Sequence, residues 1–165
     1  MTVTSVVADQ QARTLTLTAE YGAPVDDVWQ LWADPRKLER WWGPPSYPAT
    51  VHDHDLRADG VVSYAMTGPD GDRFPGWWRL TAVTPPTGLE FEDHFGEPGA
   101  PDEGMPVTRT RVTIDDAGGG TTRMVTVGSF PSDEAMAQLL EMGMQDGLAE
   151  AVGQTDDLLA GAAQR

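Results

Sequence analysis

A chain of 165 residues with no cysteine is long enough for one hydrophobic core but not for two, and it excludes disulfides, thiolate nucleophiles and cysteine-ligated metals. Its 26 acidic against 11 basic residues, a formal charge of −15, would repel nucleic-acid phosphates and anionic headgroups over most of the surface. The start "MTVTSVVADQQ" lacks the basic stretch and the apolar run of a secretory signal, and no later run is apolar enough for a bilayer, so a cytoplasmic protein that neither binds nucleic acid nor inserts into membranes is expected.

Residues 13–21, "RTLTLTAEY", alternate apolar and polar side chains with the period of a half-buried strand. Pro24, Asp26 and Asp27 then suit the first turn of a helix that runs to Ala33, with Val28, Leu31 and Trp32 at helical spacing. Asp34-Pro35 is an N-cap followed by a proline at the first helical position, which predicts a second short helix through Leu38 and Trp41. "RWWGPP", residues 40–45, ends it with two tryptophans whose side chains must diverge by about 100° on a helix. Trp41, three residues after Leu38, is expected to anchor the short helices, and Trp42 to face a cavity entrance.

Six further strands are expected at 50–56, 61–67, 74–84, 89–95, 107–115 and 121–127, separated by Gly- and Pro-containing turns. The short connections favour an antiparallel meander. The one long separator, 96–106, is poor in apolar residues and reads as a mobile loop, a lid or a solvated insertion. Residues 132–159 carry apolar and small side chains at helical spacing behind the N-cap candidate Ser132, which predicts one long amphipathic helix with an acidic outer face. Gly143, Gly147 and Ala151 fall every fourth residue on its inner face, where they either admit the sheet closely or leave room.

Three segments in this order, "APVDDVWQLWADPRKLERWWGP" (23–44), "DLRADG" (55–60) and "GSFPSDEAMAQLLEMGMQDGLAEAV" (128–152), resemble bacterial relatives of the activator of heat-shock-protein ATPase, within the START-like (SRPBCC) superfamily. The resemblance implies an α+β helix-grip fold: a curved antiparallel sheet of about seven strands around a long C-terminal helix, with two short helices after the first strand. It implies one domain over 1–165, with a core at about 12–160 and mobile ends. Many relatives have tryptophan after the glycine of the last helix where this chain has Met144, a slimmer and more adaptable side chain.

Strand alternation supplies the candidate lining of a cavity between sheet and helix. Tyr64 and Met66 share one face, as do Phe91, Asp93 and Phe95; Trp78, Trp42, His54, Met124, Met144 and Leu148 complete the set. Asp93 would be costly to bury unless paired or protonated. It would orient a ligand, transfer a proton, pair with Arg79, Arg109 or Arg111, or turn to solvent at a bulge. His52 and His54 form only half a metal site, and nothing places His94 beside them, so no metal and no cofactor is expected. No catalytic residue is assigned.

The leading expectation is therefore a protein that binds a hydrophobic or amphipathic small molecule without catalysing a reaction. The alternatives are a chaperone-interacting module, as the family resemblance implies, and a cyclase- or hydratase-type enzyme using Asp93, His54 or Tyr64. A homodimer is compatible with the sequence, though no residue points to it.

Overall fold

The computed structural model describes residues 3–102 and 104–163. Strands β1 (Val3–Asp9) and β2 (Thr14–Tyr21) precede helices α1 (Val25–Ala33) and α2 (Pro35–Trp41). Strands β3 (Ala49–His54), β4 (Val61–Thr67), β5 (Arg73–Thr84), β6 (Gly88–Glu97), β7 (Ala100–Pro101), β8 (Thr108–Gly118) and β9 (Thr121–Ser129) follow, and α3 (Asp133–Glu141), α4 (Met144–Gly153) and α5 (Thr155–Ala163) close the chain. The sheet is antiparallel throughout, in the order β1-β2-β9-β8-β6-β5-β4-β3, with two-residue β7 paired to the end of β6. Among the described residues no helix is long and apolar enough to cross a membrane.

The main path thus has one strand more than the seven expected. The addition is β1, an edge strand of mostly exposed side chains in which only Val3 and Val6 turn partly inward. It lacks the strict alternation that exposes β2 in the sequence, where every second residue is buried. The expected loop at 96–106 turns back on the sheet, pairing Gly96 with Pro101 and Glu97 with Ala100. Glu103, within it, lies outside the described residues, as do residues 1–2 and 164–165 of the chain ends expected to be mobile.

The single long helix predicted for 132–159 is also corrected, because the segment breaks twice. Ser132 caps its start as expected, its Oγ accepting from Ala135 N at 3.0 Å. The first break is Gly143, at φ +91°, in the left-handed region that glycine enters without steric cost. The second is pinned from both sides. Gln154 Nε2 donates to the Gly43 carbonyl at 2.7 Å, and Thr155 Oγ1 lies 2.9 Å from the Tyr21 hydroxyl on β2.

The two short helices cover one end of the concave face. Asp34 caps α2 by accepting from Arg36 N at 2.9 Å, and Trp41, fully buried, ties α2 to α1 by donating from Nε1 to the Leu31 carbonyl at 2.9 Å. Beneath them Trp32, Trp78, Phe91, Leu80, Ile114 and Met124 form the main core. A second, smaller cluster gathers Leu15, Phe130, Met136 and Leu139 under α3.

The break at Gly143 generates a prediction. An added Cβ there meets no atom within 4 Å, so Gly143→Ala suffers only the backbone penalty of a left-handed L-residue. It is expected to lower stability by about 1–2 kcal/mol in urea denaturation.

Candidate functional site

Along the inward faces of β8 and β9 the side chains shrink from one end to the other. Ile114 and Met124 form one cross-strand pair, Val112 and Thr126 the next, and Thr110 and Gly128 the third. The first row fills the space under the short helices; the last leaves it open. Where these rows thin out, and α3 gives way to α4 at Gly143, a cavity of about 300 Å³ lies between sheet and helices. It separates the two hydrophobic clusters, with Leu148 touching both.

Of the residues proposed from the sequence, Trp42, Tyr64, Met66, Asp93, Phe95, Met144 and Leu148 come together on this cavity. The other four do not. Trp78 and Phe91 share the inward face, but α1 covers them: they are buried and stacked on each other with centroids 4.0 Å apart. Met124 is fully buried, its sulfur accepting from Trp32 Nε1 at 3.3 Å. His54 follows a register shift in β3 and donates from Nε2 to the Trp32 carbonyl at 2.9 Å, a structural bond away from the cavity. His52 instead accepts from Arg73 at 3.3 Å.

The lining also includes Thr108, Thr110, Thr126 and Gly128, which the sequence reading did not single out, and Gly143, Gly147 and Ala151 of the small-residue stripe that it did. Their signal was present as small or polar residues at inward positions where a filled core would place larger apolar ones. Gly147 is informative, since an added Cβ would meet nothing within 4 Å. Of the two uses weighed for its small-residue stripe, room is the one found at this position.

Asp93 has none of the arginine partners considered for it. Arg79 pairs with Glu92 at 3.1 Å and Arg111 with Glu90 at 3.0 Å, on the other face of the strands. Those pairs line a wider outer depression of about 480 Å³ whose charges already satisfy one another. Asp93 accepts from the Tyr64 hydroxyl at 3.0 Å and is one of the residues that line the cavity. Burial pushes it from the usual 3.8 up to about 7, against the smaller opposing pull of the Tyr64 hydroxyl. Burial, with the neighbouring Asp93 charge, likewise holds the Tyr64 phenol well above its ordinary range, so it remains a donor.

Tyr64 reaches Asp93 because of a glycine. The two lie on β4 and β6, with β5 between them, and Tyr64 pairs with Gly76 on β5. A Cβ on Gly76 would sit 2.5 Å from the Tyr64 oxygen and 2.6 Å from the carbon bearing it. The ring therefore lies across bare backbone. The indole nitrogens of Trp42 and Trp78 are buried beside the same hydroxyl without reaching hydrogen-bond geometry, and Thr126 Oγ1 is also buried without a partner among the described residues.

The family described as activator of Hsp90 ATPase homolog 1-like protein matches residues 22–160 of the chain. No curated protein matches it. Among solved structures, protein Ms6760 from Mycobacterium smegmatis is 46% identical with a TM-score of 0.87, the match covering 97% of this chain and 99% of that one. A protein from Arthrobacter aurescens is 42% identical with a TM-score of 0.91, covering 97% and 93%. A protein from Staphylococcus epidermidis, 21% identical with a TM-score of 0.81 over 96% and 95%, shares the fold.

Asp93 imposes a pH dependence on stability. As pH rises from the ordinary aspartate value of 3.8 toward about 7, the unfolded chain ionises this group while the folded chain keeps it protonated. Folding therefore loses free energy through that window, and the penalty is constant above it. Asp93→Asn, which can still accept from Tyr64, is expected to be more stable than the parent at pH 8 by about 2 kcal/mol, discounted because Asp93 lines the cavity. The difference should vanish near pH 4, and urea denaturation of both proteins across this range checks it.

Proposed function

The chain belongs to the family described as activator of Hsp90 ATPase homolog 1-like protein, and from the cavity we propose that it binds a hydrophobic or amphipathic small molecule between sheet and broken C-terminal helix, without catalysing a reaction. The observation that carries this reading is unfilled space in an apolar interior. Protein cores normally pack to crystal density, yet Gly147 faces the cavity with room for a side chain. Met66, Phe95, Met144 and Leu148 supply apolar walls, and Asp93 with Tyr64 supplies one polar end. That is the usual make-up of a small-molecule site: mostly apolar, with few and convergent polar groups. We read residues 1–165 as one domain working in the cytoplasm, where the lack of cysteine is unremarkable.

A chaperone-docking role is the second reading, favoured by the family's description. It would use the outer surface, so the two readings separate on a variant that changes only the cavity.

Gly147→Leu is that variant. It should fill the cavity at no loss of stability, because leucine is also the better helix former by roughly 0.5–1 kcal/mol. Native mass spectrometry of the parent purified from its own host, followed by organic extraction, should show a bound small molecule that the leucine variant lacks. A parent that carries nothing, and an ATPase of the host chaperone that responds equally to both proteins, would favour the docking role instead.

A further inference from the structure

Resting on that reading of the cavity, we infer that its occupant is an apolar molecule bearing a protonated amine, seated on Asp93. The first ground is the wall itself: among the described residues Asp93 and Tyr64 are the titratable side chains on it, and none of its lining residues is a lysine or arginine. A carboxylate or phosphate head would meet Asp93 without a counter-charge. An uncharged chain could fill the walls but would leave the carboxyl unanswered.

The second ground is the direction of the hydrogen bonds. Indole N–H groups only donate, and those of Trp42 and Trp78 flank the Tyr64 hydroxyl. That hydroxyl in turn donates to Asp93 Oδ1. Neither indole reaches hydrogen-bond geometry with that hydroxyl, so among the described residues the one hydrogen bond made here runs from Tyr64 to Asp93, which ends it as an acceptor. Among the described residues Asp93 receives no second hydrogen bond, so its other lone pairs are left for a donor brought by the ligand.

Charge decides which donor. A hydroxyl would satisfy the geometry, but a buried carboxylate is stabilised far more by a cation than by a neutral dipole. The rings of Trp42 and Tyr64, edge to face at 6.0 Å on the cavity wall, offer π faces to an ammonium as well. The chain's formal charge of −15 raises the local concentration of cations. The groups around Asp93 on neighbouring elements are Tyr64 on β4, Trp78 on β5, Thr108 on β8 and Met144, Gly147 and Leu148 on α4, none of them charged at neutral pH. Ammonium binding therefore follows the ionisation of Asp93 alone.

Titration calorimetry with octylamine, octanol and octanoate tests this on the intact chain at pH 6 and pH 8. These probes share one tail and differ in the head. Octylamine should bind tightest and octanoate weakest. Amine affinity should rise about tenfold from pH 6 to pH 8 as a carboxyl titrating near 7 goes from roughly a tenth to nine tenths ionised, while octanol affinity stays flat. Asp93→Asn should lose the preference for the amine and keep octanol binding. Octanol or octanoate binding as tightly as the amine, or an amine affinity that ignores pH, overturns the amine assignment and leaves the cavity reading standing. If none of the three binds, the cavity reading itself falls. The wild-type pH comparison decides the matter even if the asparagine variant does not fold.

Discussion

Trp32 is the side chain on which the short helices and the sheet converge. Fully buried, it meets Trp41 edge-on at 4.8 Å and lies 5.9 Å from Trp78 and 6.3 Å from Phe91. Its N–H donates to Met124 on β9, and its carbonyl accepts from His54 on β3. One residue thus joins α1, α2 and four strands. Aromatic contacts of this kind contribute about 0.5–1.5 kcal/mol each beyond area burial. They seal one end of the concave face, so the last three helices have only the other end to cover.

This division explains why parity alone could name the face of a residue but not its fate. Phe91, Asp93 and Phe95 alternate correctly on β6, yet Phe91 lies under Trp32 while Asp93 and Phe95 lie at the cavity. Trp78 and Met124 are inward-facing for the same reason and are core for the same reason as Phe91. What separates lining from core is position along the strand relative to α1 and α2, a tertiary relation that a period-two pattern does not contain. The shrinking series Met124, Thr126, Gly128 did carry part of that information, read as missing bulk.

Other features were hidden for different physical reasons. The caps at Asp34 and Ser132 were legible because each rests on one side chain and its immediate neighbours. The break at Gly143 was not, since glycine within a helical pattern is compatible with either a cap or an uninterrupted turn, and only the backbone angle distinguishes them. β1 has too few inward residues to show a period. Alternation put His54 among the lining residues, but the register shift between Val51 and Asp53 moves everything after it, which a period-two pattern does not contain.

Gly76 and Asp93 break local rules at adjoining places. A glycine inside a strand forgoes packing and conformational restriction, and a buried carboxyl without a cationic partner opposes folding at neutral pH. Glu20, Glu90 and Glu92, also on strands, each pair with an arginine. The two exceptions are linked, since the bare backbone at Gly76 is what lets Tyr64 cross β5 to reach Asp93. Neither departure can be credited to packing. Their joint product is a single acceptor, oriented by a fixed donor, at the polar end of a space the apolar side chains do not fill. Local conflicts of this sort concentrate where a structure serves something besides its own stability. In this fold both departures border the cavity left beyond the reach of Trp32 and its neighbours.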